Sequence, residues 1–104
     1  MKLEVRSSNV PISEALHAHI ARRFDFALRR LAGRVDRALV RLVDLNGPKG
    51  GPDKRCRIEA RLSSARSVIV EATDADAYVA VSQATARLEE RVARALTRQR
   101  SRAA

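Results

Sequence analysis

The spacing of apolar residues along this chain changes period in a fixed order: two, then three to four, then two in three successive segments, then three to four again. A strand turns successive side chains to opposite faces, whereas a helix brings every third or fourth residue back to one face. The sequence therefore predicts strand, helix, three strands, helix. From Lys2 to Ser7, Leu3 and Val5 alternate with Lys2, Glu4 and Arg6 as in a half-buried strand. Pro11 ends it, Ser13 is placed to N-cap a helix, and Glu14 falls in the first turn, where the helix dipole favours it. Leu16, Ile20, Phe24, Leu28 and Leu31 then recur at helical spacing, giving about five turns, and Gly33 is placed to close them.

Period two returns from Val35 to Leu45, with Ala38, Val40 and Leu42 on one face and Arg37, Leu39, Arg41 and Val43 on the other. Asn46 to Asp53 (NGPKGGPD) reads as a flexible hairpin loop, because glycine and proline punctuate it. From Lys54 to Ser63, Cys56, Ile58, Ala60 and Leu62 point inward, while Arg55, Arg57, Glu59 and Arg61 point outward. Ser64 and Ala65 mark a tight turn, and Arg66 to Thr73 forms a last strand with Val68, Val70 and Ala72 on one face. Asp74 or Asp76 caps the final helix. The buried stripe of that helix is predicted to be Tyr78, Val81, Thr85, Leu88, Val92 and Leu96, with fraying over 98–104.

These elements predict an α+β fold, β-α-β-β-β-α, with a four-stranded mixed sheet. The first two strands pair in parallel through the helical crossover, and the rest form an antiparallel meander. Both helices have one apolar face, so both pack on one side of the sheet, leaving its other face polar and open to water. No internal repeat or linker divides the chain, so residues 1–104 form one domain.

Charge narrows the function. The chain has 21 Lys plus Arg against 12 Asp plus Glu, a net charge of +9, and 18 of the basic residues are arginine. A pI near 11.3 is the electrostatic footprint of a nucleic-acid binder. Guanidinium adds planar, bidentate recognition of phosphate. Genomic base composition can also enrich arginine, and a basic helix stripe is often no more than a solvated face. With Phe24, Phe26 and Tyr78 as its only aromatic residues, the chain lacks a platform for stacking bases. Phe24 and Tyr78 lie on predicted buried stripes, and Phe26 is expected to pack at the rim.

No catalytic constellation is evident. His17 and His19 are two apart on a helix and diverge by about 200°, so they cannot share a metal. Cys56 reads as a small core residue without a base beside it, and as a lone cysteine it excludes an internal disulfide. There is no phosphate-binding glycine loop, dinucleotide fingerprint or metal motif. A non-enzymatic protein is expected, with no cofactor and no small-molecule substrate. The start shows no signal peptide and no run suits a transmembrane helix, so the expected location is cytoplasmic and no membrane partner is foreseen. Because the apolar stripes must face the sheet, the expected RNA-binding residues are Arg22, Arg23, Arg29 and Arg30 of the first helix and Arg87, Arg91, Arg94 and Arg98 of the second.

Two stretches resemble a known family. MKLEVRSSNVPISEALHAHIARRF is similar to the start of the short ribosome hibernation-promoting factors, or ribosome-associated inhibitors, through its alternating strand, Asn9-Val10, the Ile12–Leu16 helix start and Arg23-Phe24. EATDADAYVAVSQATARLEERVARAL resembles the family's acidic turn, its Asp76-Ala77-Tyr78 helix entry, the apolar Val81, Leu88 and Val92, and basic residues at Arg87 and Arg94. Glu89 and Glu90 depart from the pattern, as does the Gly/Pro-rich Asn46–Asp53. The resemblance implies a protein that binds small-subunit rRNA in the channel of mRNA and tRNA anticodons, silencing idle ribosomes in stationary phase or stress. It is to the short forms, which lack a C-terminal dimerisation domain, so another factor would drive ribosome pairing. Two alternatives compete: a double-stranded-RNA-binding module, and a regulatory protein-interaction domain contacting transcription machinery. The former usually grips phosphates with a lysine-rich start to its last helix, where this chain has Asp74-Ala75-Asp76.

Overall fold

In a computed structural model the described residues are 1–31, 33–46 and 53–103, without the side chains of Arg30 and residues 99–103. Strand β1 (Lys2–Ser8) leads to helix α1 (Glu14–Leu28), followed by a 3₁₀ turn (Arg29–Leu31). Strands β2 (Val35–Asp44), β3 (Lys54–Leu62) and β4 (Ser67–Asp74) precede helix α2 (Ala77–Ala103). The sheet order is β1-β2-β3-β4, with β1 parallel to β2 and the other neighbours antiparallel. This is the predicted architecture.

The helix starts follow from their caps. Ser13 is extended (φ −71°, ψ 163°) and its hydroxyl accepts from the Leu16 N–H at 3.1 Å. At α2 both aspartates act: Asp74 accepts from the Asp76 N–H, and Asp76 accepts from the Tyr78 N–H, each at 2.8 Å. The end of α1 differs from expectation. α1 stops at Leu28 and tightens into the 3₁₀ turn before Gly33 takes φ +82°, so the glycine closes the 3₁₀ turn and not the α-helix. α2 extends to Ala103, with no glycine or proline to interrupt its good helix formers.

One layer of core lies between the helices and the sheet. Ile20, Phe24 and Leu28 of α1 and Val81, Leu88 and Val92 of α2 meet the inward residues Val40, Leu42, Cys56, Ile58, Leu62 and Val70. Ala80 and Ala84, which the predicted α2 stripe omitted, are fully buried, and such small side chains let the helix lie close to the sheet. Thr85 is buried without a cost in unmet polarity, since its hydroxyl donates to the Val81 and Ser82 carbonyls at 3.0 Å. Tyr78 is a correction: it remains 39% exposed, on the flank where its ring meets His19 at 5.0 Å.

Val35 and Ala38 are three residues apart, yet both point inward. A bulge between Val35 and Arg37 resets the alternation, which period-two spacing alone does not reveal. The β2–β3 hairpin is closed by the Leu45 N–H donating to the Asp53 carbonyl at 2.7 Å. Residues 47–52 of its expected loop lie outside the described residues. Buried Asp53 holds the Lys54 ammonium at 2.9 Å, and that hydrogen bond raises the lysine pKa.

Candidate nucleic-acid interface

The predicted arginines fall into two separated groups. His19 of α1 bridges to α2, with its Nε2 3.1 Å from both the Tyr78 carbonyl and the Ser82 hydroxyl. Ser82 therefore marks the flank of α2 that faces α1. Arg91 lies nine positions further along, which at ~100° per residue is half a turn away. Arg87, Arg91, Arg94 and Arg98 accordingly overhang β4 on the side away from α1, and do not form one surface with the arginines of α1. The spacing that places them in one stripe is right; its direction comes from the tertiary packing.

On that side the α2 arginines gain a partner the sequence reading missed. Arg66, just before β4, joins Arg91, Arg94 and Arg98 around a concavity of about 170 Å³ also lined by Ser67, Val68 and Ala95. Four arginines, one from the β3–β4 turn and three from α2, line it, with no carboxylate among the lining residues. Beside it lies a second hollow of about 270 Å³, where Arg87, Arg91 and Arg94 face Glu71 and Glu90. Glu90 pairs with Arg94 one turn along the helix, and Arg87 donates to the Glu71 backbone carbonyl. β4 is an edge strand, so the Arg87 contact also covers a carbonyl that could pair with another chain. The signal that could have singled out Arg66 was its place just after a tight turn, at the end of β4 that α2 crosses last.

Arg22 of α1 and Arg29 of the 3₁₀ turn are exposed, while Arg23 of α1 is half-buried. Its guanidinium carbon lies 5.8 Å from the Phe26 ring centroid, a cation–π distance. Phe26 is 66% exposed and so does not pack at the rim as expected. The side chain of Arg30 lies outside the described residues. His17 is exposed, and His19 is used in joining the helices.

Cys56 is fully buried, and loss of solvation pushes its thiol up to about 12. Among the described residues no group of three or more His, Cys, Asp or Glu side chains could hold a metal ion, and no helix is long and apolar enough to cross a membrane.

Comparison with known proteins places this geometry. The crystal structure of the Thermus thermophilus Protein Y N-terminal domain matches with a TM-score of 0.74 and 30% identity, over 90% of this chain and 98% of that one. A ribosomal subunit interface protein from Coxiella burnetii matches with a TM-score of 0.76 over 93% of this chain and 99% of that one; at 15% identity, that likeness speaks for the fold. No curated protein sequence matches significantly. The model of the family described as sigma 54 modulation protein / S30EA ribosomal protein matches residues 3–100, and the chain belongs to that family.

Proposed function

We propose that this chain is a translation inhibitor that binds small-subunit rRNA in the channel used by mRNA and tRNA anticodons, silencing idle ribosomes in stationary phase or stress. The family match over residues 3–100 carries this reading. The Coxiella burnetii relative is described as a ribosomal subunit interface protein, which agrees with it. The arginine concavity formed by Arg66, Arg91, Arg94 and Arg98 supplies suitable chemistry: bidentate, charge-assisted hydrogen bonds to phosphate oxygens. Arg22, Arg23 and Arg29 supply a second basic surface, and Arg87 divides its guanidinium between β4 and solvent. The protein acts in the cytoplasm and silences by occupancy, with no bond made or broken; another factor drives any pairing of ribosomes.

Occupancy makes inhibition competitive. The inhibitor holds the subunit when mRNA, initiator tRNA and initiation factors are scarce, and mass action displaces it when they return. The test is cell-free translation with purified protein, titrated against those components. Relief by their excess is expected, together with co-sedimentation of the protein with small subunits on a sucrose gradient. Inhibition that no excess relieves would rule out channel occupancy. An Arg91→Glu, Arg94→Glu variant should lose inhibition at wild-type concentration; full retention would remove the concavity from the interface. A double-stranded-RNA module that grips phosphate with the start of its last helix is less suitable, since Asp74 and Asp76 occupy that end of α2.

A further inference from the structure

The helix-free face of the sheet carries charge in an ordered form. Strand register places Lys2, Arg37 and Arg61 side by side across β1, β2 and β3. Four residues along each strand, Arg6, Arg41 and Arg57 form a second row. Between the two lies a row of Glu4, Leu39 and Glu59. Alternation sends all nine side chains to the face opposite the helices, since their neighbours Ala38, Val40, Ile58 and Ala60 are buried. At ~3.3 Å per residue the cationic rows are ~13 Å apart, and each spans three strands, or ~10 Å.

Like charges directly opposite one another on a sheet repel, and a face serving only solubility would mix the signs along each row. Here Arg41 stands between Arg6 and Arg57. The ends of that row are partly neutralised, Arg6 by Glu4 at 2.9 Å and Arg57 by Glu71 at 3.6 Å. Arg37, Arg41 and Arg61 are exposed and, among the described residues, form no ion pair. A hollow of about 300 Å³ opens on this face between the first cationic row and the glutamates.

The geometry points to a further RNA-binding surface on the open face of the sheet, shaped for the minor groove of an A-form RNA duplex. A duplex offers two phosphate ridges separated by a wide, shallow groove lined with 2′-hydroxyls. The two cationic rows meet the ridges, and the Glu4 and Glu59 carboxylates accept hydrogen bonds from 2′-hydroxyls between them. A single strand has one ridge, and the carboxylate row repels it when it crosses the face. Because this surface lies across the sheet from both helices, one molecule can hold two RNA segments at once. The inference takes RNA as the partner from the function proposed above and adds to it a separate face and a duplex target.

The experiment compares wild-type protein with an Arg37→Gln, Arg41→Gln, Arg61→Gln variant for binding to a short RNA duplex, the DNA duplex of the same sequence and the single RNA strand, by fluorescence anisotropy over a salt series. The variant is expected to bind the RNA duplex at least ~10-fold more weakly, with a salt slope lower by about three units. The wild type is expected to prefer the RNA duplex to the other two probes. Unchanged affinity and slope in the variant overturn the surface, and equal or tighter wild-type binding to DNA or to the single strand overturns its A-form assignment. An Arg41→Gln variant, which removes a cation from between two others, checks folding through its denaturation midpoint and should lower the slope by about one unit. Wild-type protein that fails to co-sediment with small subunits counts against the proposed function alone. Subunit binding with no loss of duplex binding in the variant counts against this surface alone.

Discussion

Ala65 is the residue with the plainest backbone strain. It sits in the β3–β4 turn at φ 69°, with its N–H donating to the Leu62 carbonyl at 2.9 Å while the Leu62 N–H donates to the Arg66 carbonyl at 2.8 Å. A side chain in the left-handed region costs roughly 1–2 kcal/mol, which glycine avoids, although glycine also loses more entropy on folding. Ala65→Gly should therefore stabilise the fold by about 0.5–1 kcal/mol, read as a higher denaturation midpoint with unchanged slope; a lower midpoint would contradict the strain. Cys56 gives a second test at this scale. Its thiol is raised to about 12 in the fold, so between about 9 and 12 the unfolded chain gives up a proton that the folded chain keeps. The unfolded state then binds fewer protons, and stability falls with rising pH by up to about 1.4 kcal/mol per unit. A Cys56→Ala variant should lack that part of the alkaline loss, and native Cys56 should resist thiol reagents at neutral pH. The inward position of Cys56 was legible from strand alternation. The φ of Ala65 was not, because alanine carries no sequence signal for a left-handed turn.

The helices and strands were legible wherever apolar spacing agreed with burial, and obscure where packing had a casting vote. Leu88 illustrates the first case: helical spacing put it on the core face, and it is fully buried. Leu88→Ala should cost roughly 2–5 kcal/mol. Glu90→Ala removes only an exposed pair with Arg94 and should cost a few tenths. Equal midpoints for the two variants would mean the helix phase is wrong. Tyr78 illustrates the second case: it shares the stripe in sequence, yet lies where α2 turns toward α1 and keeps an open side. The same blindness hid the direction of the arginine stripe. Spacing groups Arg87, Arg91, Arg94 and Arg98, but only the His19–Ser82 contact fixes which flank is left for them. Arg66 joins them from a different element, and such convergence is a property of the fold and not of any local pattern. The bulge at Val35–Arg37 was hidden for a related reason, since one extra residue is visible only against a partner strand.

For the molecule as a whole, +9 on 104 residues acts on folding and on binding with opposite sign. The cations repel one another on the helix stripe and across the open sheet face, so self-repulsion works against the compact state. Chloride salt screens charges separated by more than a Debye length, about 10 Å at 0.1 M. The sheet rows, ~13 Å apart by strand rise, fall in that range. Salt therefore relieves repulsion in the free protein. The same salt weakens binding to RNA, because each arginine–phosphate contact releases condensed counterions that are harder to release when salt is abundant. A protein making ~6–10 such contacts loses ~10³–10⁵ in affinity between about 50 and 200 mM. Raising potassium chloride over that range should thus move the thermal midpoint of the free protein up while its hold on small subunits collapses. Chloride is the right anion for the measurement, since phosphate or sulfate could bind the arginine concavity and stabilise the native state by mass action. A thermal midpoint that falls with added chloride would show that attractive ion pairs, and not the surplus of arginine, dominate the electrostatics of the fold. Binding that persists at the upper salt would show that contacts other than phosphate hold the complex, and would move attention from the arginines to exposed Phe26.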